Sequence, residues 1–490
     1  MKEAVFLQEV KEIQLLKNAL TLLDWDSSTG MPEKSSPFRG EVEGYLTGLY
    51  FERSIGPVIQ EALAYFETRP EELSELGKLV FEKVKEEYAL NKNVPAERMQ
   101  EYVKVLNQAH TDWLKARAAQ DFGLLEETLT KVVAFQKEFI PYWQKEEKTP
   151  YDVLLNQFEP GMTVEKLDQV FDQVKQGIQE IRTVLAEKGT PPRTDFLSRK
   201  MTKEQQRRFV IGVVEQLGYD FSKGRLDDTV HPFMTALNRN DARITTRWEE
   251  NNFSMATFGV IHEAGHGMYE QNFDPKFDFT PLSEGASMGI HESQSLFNEI
   301  IIGSNRAFWQ KQYPFFQECV EGTFDDIAFE DFYASLKETK ASLIRIDSDS
   351  LTYPLHIIIR YEIEKMLFNG SLEVADLPKV WNEKYQEYLG VSPENDLEGV
   401  LQDVHWSGGS FGYFPSYALG YMYAAQLFHA MKQELSVDEI LASEDYSDIR
   451  KWLTQHIHQY GASRKPNQLI YDATGEELNP SYLIDYMKAI

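Results

Sequence analysis

Residues 164–185, VEKLDQVFDQVKQGIQEIRTVL, carry the pattern that decides the fold of this chain. Their apolar side chains recur every three or four residues, at Val164, Leu167, Phe171, Val174, Ile178, Ile181 and Leu185. An α-helix turns once in about 3.6 residues, so this spacing places them all on one face of a long helix. Similar spacing recurs near both termini and through residues 97–145, with short Pro- and Gly-containing breaks between the segments. The sequence therefore predicts a mostly α-helical protein.

One region departs from this helical pattern. Residues 226–250 lack a helical stripe and contain the β-favouring run Arg243-Ile244-Thr245-Thr246-Arg247. We expect a small pair of β-strands here. A helix should follow, with Ser254 as its N-cap and its end at about Gln271, so that the strand pair lies beside it.

Composition limits the classes of function. The chain has 490 residues, a net charge of −28 at pH 7 and a single cysteine, Cys319. One cysteine excludes an internal disulfide framework and is typical of a reducing compartment, so we predict a cytoplasmic protein. The negative charge argues against nucleic acid or an anionic membrane as partner, because phosphate binding depends on clustered Lys and Arg. We find neither a signal-peptide pattern nor an apolar stretch long enough to span a membrane.

The segment His262-Glu263-Ala264-Gly265-His266 has the spacing of a metal site. Two histidines four residues apart lie on one face of a helix, so both imidazoles can reach a single Zn²⁺. Glu263 follows the first histidine directly and is close enough to take a proton from an attacking water. The motif therefore predicts His262 and His266 as zinc ligands and Glu263 as a catalytic base.

A catalytic zinc keeps three protein ligands and one open position, so a third ligand is needed. A histidine at the metzincin spacing would fall at Asn272, and Tyr269 stands where that motif has glycine, which excludes the class. The third ligand should then be a carboxylate from a following helix. The candidates are Glu270, Glu284, Glu292 and Glu299. Glu270 lies only one turn beyond the histidines on their own helix, and a helix–loop–helix return favours Glu292 over Glu284.

Several further motifs occur along the chain in a fixed order. They are Leu23-Asp24-Trp25-Asp26, Met31-Pro32, His231-Pro232-Phe233, Asp241-Ala242-Arg243-Ile244-Thr245, His291-Glu292-Ser293-Gln294 and Gly399-Val400-Leu401-Gln402-Asp403-Val404-His405-Trp406. With the zinc motif, they make the chain resemble the M32 family of metallocarboxypeptidases over essentially its whole length. The resemblance implies a large helical peptidase fold with a deep central cleft. It also implies one zinc per chain at the cleft floor, which cobalt could replace, and removal of single residues from peptide C-termini.

The same resemblance implies roles and organisation. By motif match, His262, His266 and Glu292 would be the zinc ligands and Glu263 the general base. Members of the family are commonly cytoplasmic homodimers, so we expect a homodimer. A single peptidase domain is expected over the whole chain, and within it we distinguish a helical cleft wall (1–225), the zinc site with the substrate motifs (226–420) and a C-terminal helical segment (421–490).

A carboxypeptidase must bind a free carboxylate, for which the bidentate guanidinium of arginine is well suited. Arg345, in Ile344-Arg345-Ile346-Asp347-Ser348-Asp349, matches the family segment I-R-x-x-A-D, with Ser348 in place of alanine. We predict Arg345 as the carboxylate clamp. Arg243 is the competing anchor, although a pair between Asp241 and Arg243 that braces the strand is an alternative reading of its role.

The tetrahedral intermediate of peptide hydrolysis needs hydrogen-bond donors besides the metal. His405 precedes a glycine-rich stretch, residues 407–417, where the backbone can approach a substrate closely. His405 together with Tyr413 or Tyr417 could donate to the oxyanion, and the sequence does not choose between the two tyrosines. His231 could line the substrate site or cap a turn.

Two other functions share parts of this pattern. An endo-acting zinc oligopeptidase on the same scaffold would use the same zinc chemistry without requiring a free C-terminus. A non-catalytic helical peptide-binding protein could carry a degenerate or structural metal site, but such a site has no need of a base at Glu263. The sequence therefore favours a zinc carboxypeptidase whose partners are peptides with a free C-terminus.

Overall fold

The computed structural model describes residues 1–489 and consists of α-helices around one small sheet. The helices are α1 (Glu3–Thr29), α2 (Ser36–Ser54), α3 (Pro57–Phe66), α4 (Glu75–Lys92), α5 (Ala96–Ala119), α6 (Gly123–Trp143), α7 (Pro150–Phe158), α8 (Val164–Lys188), α9 (Lys203–Leu217), α10 (Phe253–Gln271), α11 (Met288–Leu296), α12 (Arg306–Cys319), α13 (Phe329–Ser335), α14 (Tyr353–Asn369), α15 (Leu377–Tyr388), α16 (Pro415–Glu434), α17 (Val437–Leu441), α18 (Ser447–His456), α19 (Pro466–Thr474) and α20 (Ser481–Ala489). The strands are β1 (Leu226–Asp228), β2 (Met234–Asn238) and β3 (Asp241–Thr246). The predicted mostly α-helical fold is confirmed. Within residues 1–489, no helix combines the length and apolar character needed to cross a membrane.

Residues 164–185, which carry the apolar stripe, lie in α8. Thr163 is its N-cap, with a side-chain oxygen that accepts a hydrogen bond from the backbone N–H of Lys166 at 3.2 Å. The middle of the predicted stripe is buried, namely Leu167, Phe171, Val174, Ile178 and Ile181. Leu185, in the last turns, is 41% exposed, because the helix runs past the core there. The apolar spacing thus identified both the helix and its inward face.

The sheet beside α10 has one strand more than the predicted pair. β3 lies in the centre, antiparallel to β2 and parallel to β1. The β2–β3 hairpin is the predicted pair. β1 has only three residues, and so short a strand leaves no alternating pattern in the sequence. Ala242 and Ile244 of β3 are fully buried, and β3 packs against α10.

Helix α10 begins one residue before the expected cap. Asn252, and not Ser254, is the N-cap: its side-chain oxygen accepts a hydrogen bond from the backbone N–H of Met255 at 3.4 Å. Ser254 already lies in the first turn. Asparagine caps helices as well as serine does, so residue type alone did not separate the two positions. The helix ends at Gln271, as predicted.

Two hydrophobic clusters form the interior. The larger includes residues from Val94 to Met487 and contains the inner faces of α10, α11 and α16. The smaller is built by α1, α3 and α4, joined by Phe277 and Leu282 from the connection after α10. A cleft of about 880 Å³ is lined by residues of α1, the β2–β3 hairpin, α10, α11 and the start of α16. The division of the peptidase domain at 225 and 420 stays a prediction.

Candidate active site and metal centre

His262, His266 and Glu292 come together where α10 faces α11 at the cleft. One ligand atom from each residue lies within 4.8 Å of those of the other two. The Nε2 atom of His262 is 3.9 Å from Oε1 of Glu292, and Nε2 of His266 is 3.6 Å from Oε2. Zinc–ligand bonds of about 2.1 Å in a tetrahedron separate neighbouring ligand atoms by about 3.4 Å. The three side chains therefore have nearly the spacing that one metal ion requires.

The carboxylate of Glu292 supplies an independent test of this fit. Glu292 is 5% exposed, and among residues 1–489 its Oε1 atom has no hydrogen-bond partner. A buried polar atom without a partner destabilises a fold by about 1–3 kcal/mol, and more when it is charged. A cation held by the two imidazoles would remove that penalty. The donor set thus fits a divalent metal on grounds other than the motif.

The other candidate carboxylates have different partners. Glu299 Oε2 lies 2.7 Å from Nδ1 of His262, on the side of the ring away from Nε2. Glu270 Oε1 lies 3.0 Å from Nε2 of His291. Glu284 forms an ion pair with a lysine of α1. Only Glu292 of the four falls in the cluster with the two histidines.

Glu263 lies beside this cluster and lines the cleft. It is 8% exposed, and burial raises the pKa of its carboxyl group to about 7, against the opposing effect of His262. A carboxyl group with a pKa near neutrality can accept a proton and return it. Glu263 therefore lies where a carboxyl group can exchange a proton with water in the cleft.

Tyr413 and Tyr417 line the cleft wall, and the ring of His405 packs against both of them. His405 Nε2 is 3.1 Å from the Tyr417 hydroxyl, and the ring centroids of His405 and Tyr413 are 5.4 Å apart. Both tyrosines line the cleft together with the metal-binding cluster, that is, His262, His266 and Glu292. Burial lowers the pKa of His405 to about 4, so its imidazole is neutral at pH 7. Since both tyrosines reach the site, either can supply the donor.

Arg345 is held firmly behind this wall. Its Nε and Nη2 atoms are 3.1 and 2.9 Å from Oδ1 of Asp403, whose Oδ2 is 2.7 Å from Nε of Arg360. The Arg345 guanidinium also lies 4.8 Å from the ring centroid of Tyr417. Among the described residues that line the cleft, Tyr417 is present and Arg345 is not. Arg345 is therefore adjacent to the cleft, with one edge of its guanidinium already engaged.

Arg243 forms the ion pair with Asp241 that the sequence offered as the alternative to a role in substrate binding. Its Nε and Nη2 atoms are each 2.8 Å from a carboxylate oxygen of Asp241, and its guanidinium lies 4.4 Å from the ring centroid of Trp25 in α1. These contacts tie the sheet to the N-terminal helix. His231 is exposed, next to Pro232, which lines the cleft.

Comparison with known proteins identifies the family of this chain. The family model described as "Carboxypeptidase Taq (M32) metallopeptidase" matches residues 5–490. The chain belongs to the M32 metallocarboxypeptidase family. It is similar to "Carboxypeptidase 1" of Bacillus subtilis, with 47% identity over 99% of this chain and 97% of the relative. "Thermostable carboxypeptidase 1" of Thermus thermophilus is 35% identical over 98% of this chain and 96% of the relative.

Solved structures agree with the sequence relatives. The M32 carboxypeptidase from Deinococcus radiodurans R1 superposes with a TM-score of 0.95 at 33% identity, covering 99% of this chain and 97% of that one. The predicted resemblance is thereby confirmed. The chain is a metallocarboxypeptidase, a peptide hydrolase, and its family implies a divalent metal. The His262, His266 and Glu292 cluster is a site that can hold that metal.

In this M32 carboxypeptidase, two glycines let three helices meet at the metal-binding cluster. A Cβ atom on Gly265 of α10 would lie 2.5 Å from the carbonyl oxygen of Gln294 in α11. A Cβ atom on Gly420 of α16 would lie 2.6 Å from Cβ of Glu292. Carbon atoms do not approach so closely, so α10 and α16 reach α11 only because these positions lack side chains. Glu292 is thus enclosed from both sides.

Replacing Gly420 by alanine should therefore displace Glu292 and weaken metal binding. We expect the affinity for Zn²⁺ to fall about ten- to a hundredfold, as when other groups that orient metal ligands are altered. Competition with a chromogenic chelator measures this affinity in the metal-free protein. Gly259→Ala, in α10, is the matched control, because its added methyl group would meet no atom within 4 Å apart from its chain neighbours and the nearby backbone of its own helix. Equal affinities of the two variants would contradict a positioning role for Gly420.

Some features of the site were not predicted from the sequence. Glu299 was considered only as a ligand, yet it follows Glu292 by seven residues, two helical turns, and that spacing predicts the same face. Asp403 belongs to the motif at residues 399–406, but its position between Arg345 and Arg360 depends on contacts between residues distant in sequence. Directly after α11, the chain continues into a π-helical segment, Phe297–Ile302, which contains Glu299 and which no sequence pattern indicated.

Proposed function

We propose that this chain is a zinc carboxypeptidase that removes single residues from the free C-terminus of peptides. The observation that carries the proposal is the buried carboxylate of Glu292, whose Oε1 atom has no hydrogen-bond partner among residues 1–489. Its two oxygen atoms lie 3.9 and 3.6 Å from Nε2 of His262 and of His266. Two histidines, one carboxylate and an open position are the ligand set of catalytic zinc sites. Cobalt(II) could occupy the same ligands, since imidazole and carboxylate suit both ions.

Different residues in and beside the cleft act in different steps of the hydrolysis. Bound Zn²⁺ would polarise the scissile carbonyl group and increase the acidity of the attacking water. Glu263 takes the proton of that water and then passes it to the leaving amine. His405 and one of Tyr413 and Tyr417 donate hydrogen bonds to the oxygen that becomes negative in the transition state.

We further propose that Arg345 binds the terminal carboxylate of the substrate. Asp403 and the Tyr417 ring hold its guanidinium in one orientation, so little side-chain entropy is lost when a ligand binds. The N–H groups that Asp403 does not engage are the donors for the substrate. Arg243, paired with Asp241, would shape the cleft wall, and His231 would contact substrate near the entrance.

The expected substrate selectivity provides the direct test. A short peptide with a free C-terminus should lose one residue at a time, whereas its C-terminal amide should react at least about a hundredfold more slowly. Two lost charge-assisted hydrogen bonds, at about 1.5–3 kcal/mol each, account for such a ratio. Mass spectrometry follows both peptides with and without a chelator, and an N-acetylated peptide serves as the control, because its C-terminus is unchanged. Internal cleavage of acid and amide alike would instead identify an oligopeptidase.

The setting of the enzyme is also part of the proposal. We infer that it acts in the cytoplasm as a homodimer on peptides, with residues 1–490 as a single peptidase domain. The single cysteine supports a reducing compartment, and the net charge of −28 disfavours nucleic acid and anionic membranes as partners.

A further inference from the structure

His291 lies directly behind the metal-binding face of His266. The Nδ1 atoms of the two rings are 2.6 Å apart, and Nδ1 of His266 is also 3.1 Å from the carbonyl oxygen of His291. On the far side of its ring, Nε2 of His291 is 3.0 Å from Oε1 of Glu270. Glu270 is 9% exposed, so this pair of side chains is largely shielded from water.

These contacts, together with the proposed metal ligation of His266, indicate where the imidazole protons lie. Two imidazole nitrogens 2.6 Å apart need one proton between them, because two lone pairs or two N–H groups would repel each other. If His266 offers the lone pair of Nε2 to a metal, its own proton is on Nδ1. That N–H donates to the carbonyl oxygen of His291 and also faces Nδ1 of the same residue, which must therefore be unprotonated. The proton of His291 is therefore on Nε2, where the carboxylate of Glu270 accepts it.

We infer that Glu270 and His291 are positioning residues, which hold His266 in the tautomer and ring orientation that bind the metal. The inference rests on the proposed ligand set of the site. His262 is oriented by a direct contact with a carboxylate, because Glu299 Oε2 is 2.7 Å from its Nδ1. One ligand is thus oriented by a carboxylate directly and the other through an intervening histidine.

The packing around His291 explains why Glu270 is needed. The ring of Tyr269 lies with its centroid 5.2 Å from that of His291. A Cβ atom on Gly285 would lie 2.9 Å from Cδ2 of His291, so the segment before α11 closes on the ring from another side. Packing fixes where the ring is but not which nitrogen carries the proton. The carboxylate of Glu270 favours a proton on Nε2 of His291, which leaves its Nδ1 unprotonated where it faces the N–H of His266.

The test measures Zn²⁺ affinity of the metal-free protein by competition with a chromogenic chelator. Glu270→Met keeps the size of the side chain but has no acceptor, and should weaken Zn²⁺ binding about ten- to a hundredfold. Glu270→Gln keeps an acceptor oxygen and should lose clearly less. Glu284→Gln removes a cleft carboxylate that pairs with Lys17 and should leave the affinity unchanged. Equal affinities of Glu270→Met and the unsubstituted protein would overturn the inference.

A double-mutant cycle separates this role from a merely structural one. His291→Phe keeps the ring but cannot accept the hydrogen bond of His266, so adding Glu270→Met should lower the affinity by no more than about twofold further. A structural contribution of Glu270 would appear at full size in both backgrounds and would refute the positioning role. If the His291→Phe chain does not fold, the contrast between Glu270→Gln and Glu270→Met still decides. Undiminished Zn²⁺ binding by His266→Ala would instead overturn the proposed ligand set.

Discussion

Replacing Glu263 by glutamine should abolish peptide hydrolysis and leave metal binding intact. Glutamine has nearly the shape of glutamate, but its amide cannot take the proton of the attacking water or return it to the leaving amine. Loss of a general base that also acts as the acid lowers kcat by about 10²–10⁴. Turnover of a short free-acid peptide measures the loss, and elemental analysis of the same samples measures the metal.

The contrast with Glu292→Gln makes this result specific. Glu292 belongs to the metal-binding cluster, so its replacement should remove metal and turnover together. Glu263→Gln should remove turnover alone. Residual activity of Glu263→Gln above about a tenth of normal would exclude Glu263 as the base, and loss of metal from it would make Glu263 a ligand.

Asp403→Asn should lower the free energy of unfolding by about 3–5 kcal/mol, the usual effect of removing one partner from a buried ion pair. Asp403 lies between Arg345 and Arg360, the second of which is fully buried. Burial alone would raise the pKa of Asp403, but the guanidinium groups of Arg345 and Arg360 outweigh it and hold the pKa below its usual range. The ionised form is therefore the native one, and its contribution is present above the unfolded pKa of about 4 and lost as pH falls further.

Urea unfolding at pH 7 measures this loss, and an exposed ion pair provides the matched control. Glu138 accepts hydrogen bonds at 2.8 and 2.6 Å from two nitrogen atoms of Arg98, yet both side chains are more than a third exposed. Glu138→Gln should change stability little, since water screens such pairs. Asp403→Asn should also reduce kcat/KM for free-acid peptides, because it releases Arg345. A stability loss no larger than that of Glu138→Gln would contradict the buried network.

Local patterns predicted the parts of the structure that depend on near neighbours in sequence. The apolar stripe of α8 and the histidines of α10 repeat at helical spacing, so their faces followed from geometry alone. Glu292 needed the motif resemblance as well, since spacing left Glu284 open. The cap at Asn252 and the short strand β1 were missed because single residues and three-residue strands carry little local signal.

The contacts that orient the site were beyond any local pattern. Arg345 and Asp403 are 58 residues apart, and their pairing follows from how the segment before α14 packs against the 399–412 segment. For Arg243 the sequence offered both a role in substrate binding and a role in bracing the strand. The bidentate contact with Asp241 is the contact expected for bracing the strand. Hydrogen-bond partners of buried charges are set by tertiary structure, so local sequence patterns do not predict them.

The close contact of Gly420 with Glu292 has a consequence for the order in which the enzyme matures during translation. Helix α10 leaves the ribosome long before α16, which starts at Pro415. Until α16 has been synthesised and has docked, one side of Glu292 has no neighbour, and the third ligand is not fixed. The newborn chain can therefore complete the enclosure of Glu292 only after the residues from Pro415 onward have been synthesised.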